Sequence, residues 1–258
     1  MILQATFLNT LLGLPESASA HGWEIDQMLE FCHWFMLILL VGWSGYFGYT
    51  LWRFRASRNP RASYHGVKNK VSTHLEVGVV IVEAILLVGF AFPLWAKRVN
   101  DFPDPEKAVE VHVFGEQFGW SMHYPGEDGI FGKRRVELVS GANPIGLDPD
   151  DPHGKDDIVA RNTMHLPVNR PAILKLTSKD VIHNFALHQM RAAHDAIPGT
   201  EIPMWFTPIR EGEYEIICGQ LCGAGHSVMK GILIVESAEE YEEWKAGLLE
   251  LRRMSASL

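Results

Sequence analysis

The chain has 258 residues, of which 47% are hydrophobic and 21% charged, with a formal net charge of −8. That length and apolar content support a buried core and exclude collagen-like, low-complexity and wholly disordered chains. Three cysteines are too few for a disulfide scaffold, and the acidic balance argues against nucleic acid as a partner.

Residues 1–30 come first, as a segment expected outside the membrane. It includes Ser17-Ala18-Ser19-Ala20, which is similar to a signal-peptidase site, but no basic stretch precedes it and Pro15 and Glu16 interrupt the apolar part. The segment is therefore expected to be retained. From Phe31 to Trp52 no Lys, Arg, Asp or Glu occurs, and these 22 residues are long enough to span a hydrocarbon core of roughly 30 Å. A second apolar run, Val77–Ala96, carries one acid, Glu83. Trp34, Trp52 and Trp95 stand near the ends of the two runs, where amphipathic rings favour the headgroup level. Residues 31–96 thus read as a two-helix transmembrane hairpin. Its connecting loop holds Arg53, Arg55, Arg58, Arg61, Lys68 and Lys70 and no acid, which places the loop on the cytoplasmic side and both termini outside, in a plasma or inner membrane. Glu76, at the cytoplasmic end of the second helix, and Glu83, about two turns further in, are ionisable groups at or near membrane depth. Such groups are costly unless they face protein or water.

Residues 97–258 read as an exported domain, and they hold 25 acids and 17 bases, which accounts for the net charge. Short alternating stretches at Val109–Phe114, Ile173–Leu176, Phe185–Leu187, Tyr214–Cys218 and Gly231–Val235 are separated by Gly, Pro, Asn and Asp clusters. They predict a small antiparallel β-sandwich or barrel. Glu236–Met254 predicts a terminal helix with Ser237 as N-cap, acids in its first turns and Arg252 and Arg253 at its end.

The stretch CGQLCGAGHSVM sets Cys218, Cys222, His226 and Met229 within twelve residues, after the predicted strand YEIIC. His183, in KDVIHNF, ends another predicted strand. Soft sulfur with imidazole selects copper over hard cations, and a weak thioether ligand is typical of redox copper. Two cysteines on one tight loop can bridge a pair of copper ions, with one histidine on each. Two other readings stand beside this one. A structural disulfide between Cys218 and Cys222 suits an exported protein but leaves His226 and Met229 unexplained. A structural zinc site gains nothing from methionine. No C-x-x-C-H haem attachment motif is present.

The hairpin, the exported β domain, Asp180-Val-Ile-His183 and the C-x3-C-x3-H-x2-M motif together resemble subunit II of cytochrome c oxidase. The resemblance extends through Asp195-Ala-Ile-Pro-Gly199 and the terminal helix with Tyr241 and Trp244. It implies a cupredoxin-like domain whose dinuclear copper centre, CuA, is held by His183, Cys218, the backbone carbonyl of Gln220, Cys222, His226 and Met229. It further implies electron uptake from a c-type cytochrome, or another small redox protein, and delivery to haem in subunit I, where oxygen reduction is coupled to proton pumping. Subunit III is a further implied partner. Gln220 stands where the family commonly has Glu, and a neutral amide is a poorer ligand for a hard cation, which weakens the case for Mg²⁺ there. Phe118 aligns with the tryptophan that takes electrons from the donor, and Trp120 matches the second tryptophan of that stretch. Asp180, Asp195 and the acidic loop Asp148–Asp157 are candidate docking groups for a basic donor. Glu76 matches the acid near a proton pathway into subunit I. Glu83 stands where the family usually has proline, and is expected to face subunit I. A quinol oxidase subunit lacking the copper ligands, a nitrous oxide reductase and a membrane-tethered copper carrier are the alternatives.

Overall fold

The computed structural model describes residues 7–61, 64–65 and 70–256, so Lys68 of the basic loop lies outside the described residues. The chain divides into two compact units. One comprises Met1–Leu14 and Glu24–Arg98; the other comprises Pro15–Trp23 and Val99–Leu258.

The first unit is helical. A short helix α1 (Phe7–Leu11) precedes α2 (Gly22–Arg53), and the second apolar run forms α3 (Val71–Ala84), a π-helical turn (Ile85–Ala91) and α4 (Phe92–Asn100). Both long helices, Gly22–Arg53 and Val71–Asn100, are long and apolar enough to cross a membrane. Helix α2 starts nine residues before the predicted Phe31. Glu24, Asp26 and Glu30 break the apolar run but not the helix; Glu24, in the first turn, is favoured by the helix dipole. Glu30 is buried, and its carboxylate accepts hydrogen bonds from the backbone N–H of Leu8 (3.1 Å) and Asn9 (3.2 Å) and from Trp34 Nε1 (2.8 Å). The π turn was not foreseen. Pro93 has no N–H to offer the preceding turn, and Phe92 N–H bonds back five residues to the Leu87 carbonyl.

The second unit is a sandwich of two five-stranded sheets, built from β1 (Val109–Glu116), β2 (Gly119–Tyr124), β3 (Ile158–Arg161), β4 (Thr163–Pro167), β5 (Ala172–Ser178), β6 (His183–Leu187), β7 (Ala192–Ala196), β8 (Ile202–Phe206), β9 (Gly212–Cys218) and β10 (Lys230–Glu236). The sheet orders are β3-β2-β1-β5-β8 and β4-β10-β9-β6-β7. The five predicted strands are present, and five more were unassigned. The antiparallel expectation needs correction, since β1 pairs in parallel with β5 and β10 in parallel with β4. Each parallel partner arrives through a long connection, so no hairpin turn marks the pairing in the sequence. Alternation sets the faces: Val111, Val113, Trp120 and Met122 point into the core, while Glu110, His112, Ser121 and His123 lie on the outer face of the first sheet. Each large apolar side chain buried in this core contributes about 1.5–3 kcal/mol.

Between β2 and β3 the chain makes an excursion over residues 125–157 that covers this outer face. Ile145 and Leu147 pack with Phe114 and Val159 as a small second core. Asp157, fully buried, anchors the excursion by accepting hydrogen bonds from His123 Nε2 (2.5 Å), Gly132 N–H (2.8 Å) and Gly126 N–H (3.1 Å). At the C-terminal end, α5 (Ala238–Ala256) begins two residues later than predicted. Ser237 caps it as expected, in a reciprocal box with Glu240 (3.2 and 3.0 Å). Trp244 docks this helix by stacking on His165 at 4.1 Å and meeting Tyr124 edge-on.

Residues 15–23 also belong to the β unit, so the stretch 1–30 is not one piece. Ala18 N–H donates to the Gln189 carbonyl, Ala20 N–H to the Thr207 carbonyl and Ser19 Oγ to the Met190 carbonyl, while Ile209 N–H donates to the Ala18 carbonyl. Ala18 and Ser19 are essentially inaccessible.

Candidate metal centre

The copper-loop residues occupy the connection between β9 and β10, at one end of the sandwich. Cys218 closes β9, and the chain turns through Gly219–Gly225 into a single helical turn at His226–Val228 before β10 begins. His183 opens β6, the neighbour of β9, and reaches the loop from the adjacent strand. The donor atoms of His183, Cys218 and Cys222 lie within 4.8 Å of one another. The two Sγ atoms are 3.8 Å apart, and both cysteines are free thiols. His183 Nδ1 is 3.9 Å from Cys218 Sγ, and His226 Nδ1 is 3.6 Å from Cys222 Sγ. Met229 Sδ lies 3.7 Å from Cys222 Sγ, and the Gln220 carbonyl oxygen 3.2 Å from Cys218 Sγ. All six donors that the sequence nominated are therefore drawn together, with an imidazole at each end of the sulfur pair.

The surroundings fix these donors. His183 is fully buried, and its Nε2 donates to Asp180 Oδ1 at 2.9 Å, leaving Nδ1 as the lone-pair nitrogen that faces sulfur. Asp180 also accepts from Gln117 N–H (2.7 Å) and Val181 N–H (2.7 Å). Burial works to raise the Asp180 carboxyl, but the hydrogen bonds from His183, Gln117 and Val181 outweigh it and hold the group below its ordinary value. Burial and the adjacent Cys218 push the Cys222 thiol up to about 11, so taking up a cation here displaces protons. Trp120 lies beneath the site, edge-on to His183 at 5.8 Å and to Phe185 at 5.1 Å. Gly115 makes room for this packing, since a Cβ there would stand 2.9 Å from the His183 ring.

The other nominated residues are dispersed. Phe118 is 41% exposed and lies against the metal loop, where a Cβ on Gly225 would come within 2.4 Å of its ring. Trp120 is wholly buried and offers no surface to a partner. Asp195, half-buried on β7, accepts from Asn184 Nδ2 at 2.7 Å. Asp156 and Asp157 of the acidic loop are engaged with the excursion's own backbone. Glu76 and Glu83 are exposed on α3, remote in the chain from the copper loop. Gln117 was not singled out, yet its Nε2 donates to the Cys222 carbonyl at 2.5 Å and ties the loop to the end of β1. Its place beside Phe118 was the only signal.

Two imidazoles, two thiols, a thioether and a carbonyl form a donor set suited to copper and unsuited to hard cations. Residues 109–238 match the family described as cytochrome c oxidase subunit II, periplasmic domain. The chain belongs to that family. It is similar to the alternative cytochrome c oxidase subunit 2 of Bradyrhizobium diazoefficiens, 35% identical over 85% of this chain and 78% of that one. It is also similar to cytochrome c oxidase subunit 2 of Cereibacter sphaeroides, at 30% identity over 76% of this chain and 66% of that one. Among solved structures it is similar to the periplasmic domain of subunit II of cytochrome oxidase of Bradyrhizobium japonicum. That chain is 28% identical, with a TM-score of 0.42, covering 57% of this chain and 96% of its own. The fold is the expected one, two apolar helices followed by a cupredoxin-like β-sandwich and a C-terminal helix. The protein is a copper-binding component of an oxidoreductase, subunit II of a haem–copper oxidase complex.

Proposed function

We propose that this subunit takes electrons one at a time from a c-type cytochrome, or another small redox protein, through a dinuclear CuA centre. The electrons pass on to haem in subunit I for oxygen reduction coupled to proton pumping. The observation that carries this reading is the side-by-side pair of thiols with a histidine nitrogen at each end. Copper, when bound, supplies a one-electron carrier. The ligands would be His183, Cys218, the Gln220 carbonyl, Cys222, His226 and Met229. The chain's part is to hold them in place: Asp180 fixes the His183 ring, Gln117 fixes the Cys222 peptide, and the buried sulfurs exclude water. A site already shaped for its metal changes little on electron transfer.

Phe118, exposed against the loop, is the proposed point of donor contact, with Trp120 of the following strand and Asp195, on the strand next to His183's, as further candidates. The excess of acids in the domain favours a basic donor and a salt-sensitive encounter. In this reading the basic loop after α2 is cytoplasmic and the β domain lies on the periplasmic face, with subunits I and III beside the hairpin. Glu76 and Glu83 would face subunit I as proton-pathway candidates. The Gln220 side chain, being neutral, gives Mg²⁺ a poor ligand.

The test is to load the full-length chain, in detergent, with copper and record metal content and EPR. Two coppers sharing one unpaired electron, lost in Cys218→Ser and in Cys222→Ser, is the expected result. A single copper with a localised spectrum refutes the dinuclear reading.

A further inference from the structure

On the outer face of the first sheet, away from the copper loop, two histidines lie opposite each other on adjacent strands. His112 of β1 and His123 of β2 are register partners, with rings 5.9 Å apart and at 82° to each other. Both are buried. Each has Nε2 turned to a carboxylate: His112 to Glu110 at 3.3 Å, His123 to Asp157 at 2.5 Å. Among the described residues, neither Nδ1 has a hydrogen-bond partner. Phe131, from the excursion between β2 and β3, stacks on His112 at 3.8 Å and meets His123 edge-on at 4.9 Å.

A carboxylate on Nε2 fixes the tautomer, so that Nδ1 carries a lone pair. The His183–Asp180 pair uses the same device at the copper loop. Two buried lone-pair nitrogens with no donor to satisfy them are costly, and a cation between them removes the cost. A metal held by two imidazole nitrogens at about 2 Å lies roughly 3 Å from each ring centre, which puts the rings up to about 6 Å apart. The observed spacing fits. The groups facing the pair are Glu110, Lys175 and Arg134 beside His112, and Asp157, Arg134 and Arg252 beside His123. Their charges do not favour a divalent ion, since three cations meet two carboxylates and neither nitrogen donor is anionic. A singly charged ion that accepts few ligands suits the site better, and the ring of Phe131 keeps water away from it.

We propose that His112 and His123 form a second, all-nitrogen metal site that takes one Cu(I), separate from the sulfur centre. Because it shares no ligand with that centre, it stands or falls independently of the CuA reading.

The experiment uses the full-length chain in detergent with both Cys218→Ser and Cys222→Ser, titrated anaerobically with Cu(I) against a competing Cu(I) chelator. One copper per chain is expected to remain, falling to none when His112→Phe is added, a change that preserves an aromatic stack on Phe131. No copper retained by the doubly substituted chain, at an unchanged melting temperature, overturns the proposal. So does copper retained equally with His112→Phe. Anomalous diffraction at the copper edge from unsubstituted protein covers the case in which a variant does not fold. A peak between the two rings supports the site, and a water alone overturns it.

Discussion

Asp180 touches no donor atom of the copper loop other than through His183, yet it decides which histidine nitrogen is free. Its carboxylate accepts from His183 Nε2, Gln117 N–H and Val181 N–H at once. Asp180→Asn keeps the shape but replaces one accepting oxygen with a donor. Carboxylates behind a ligand histidine typically account for 10–100-fold in metal affinity. We expect a loss of about that size, read by chelator competition, with an unchanged circular dichroism spectrum. The donors themselves were legible because C-x3-C-x3-H-x2-M is a local pattern whose spacing and softness name a metal. Asp180 was legible only as an acid near the site, and was assigned to the surface for donor docking. Its bond to His183 is local, but its bond from Gln117 N–H joins residues 63 apart in the chain, and no periodicity records such a pairing. Phe118 and Trp120 show the same limit. They are two residues apart on either side of a strand start, yet one is exposed and the other wholly buried.

At the scale of elements, the strongest strands were readable and the short ones were not. β1, β5, β9 and β10 carry longer stretches rich in apolar residues, whereas β4 and β7 hold few β-branched or aromatic residues and gain their conformation from neighbours in the sheet, and β3 and β8 are short. Within residues 125–157 the sequence marks only the acidic stretch Asp148–Asp157, as a candidate docking surface. The excursion in fact covers His112 and His123, so its packing is sensitive to acid. Burial, with Arg134, His123 and Lys175 against the hydrogen bond to Glu110, lowers His112 to about 4. Burial likewise lowers His123, against the pull of Asp157. Both groups are neutral in the folded state and gain a proton more readily when unfolded. The stability they contribute is therefore complete above the unfolded histidine value near 6.5 and declines as pH falls from there toward 4. For His112 alone the loss reaches about 3 kcal/mol. Thermal melts of the metal-free chain between pH 7 and pH 4.5 should show this decline, and His112→Phe should flatten it. A melting temperature independent of pH across that range would contradict the assignment.

At the scale of the molecule, the hairpin's apolar runs made both long helices visible, while the division of the chain did not follow the order of the sequence. The residues before α2 read as one exported segment, with Ser17–Ala20 similar to a cleavage site but Pro15 and Glu16 interrupting the apolar part. Only partners far along the chain reveal that Pro15–Trp23 completes the β unit. A soluble fragment beginning at Val99 would lack that piece. Ala18→Glu, which buries a charge at a position 1% exposed, should cost on the order of 3 kcal/mol and lower the melting temperature of the β unit. An unchanged melting temperature would mean that the segment adds nothing to stability. The same segment also imposes a wait during synthesis. Ser19 is made before its partner Met190, which follows 171 positions later. At ribosomal speeds of about 5–20 residues per second, the early segment spends roughly ten to thirty seconds with its backbone unpaired. The β unit is therefore finished by its oldest residues, and whatever receives the nascent chain must keep that short stretch available until the last strands arrive.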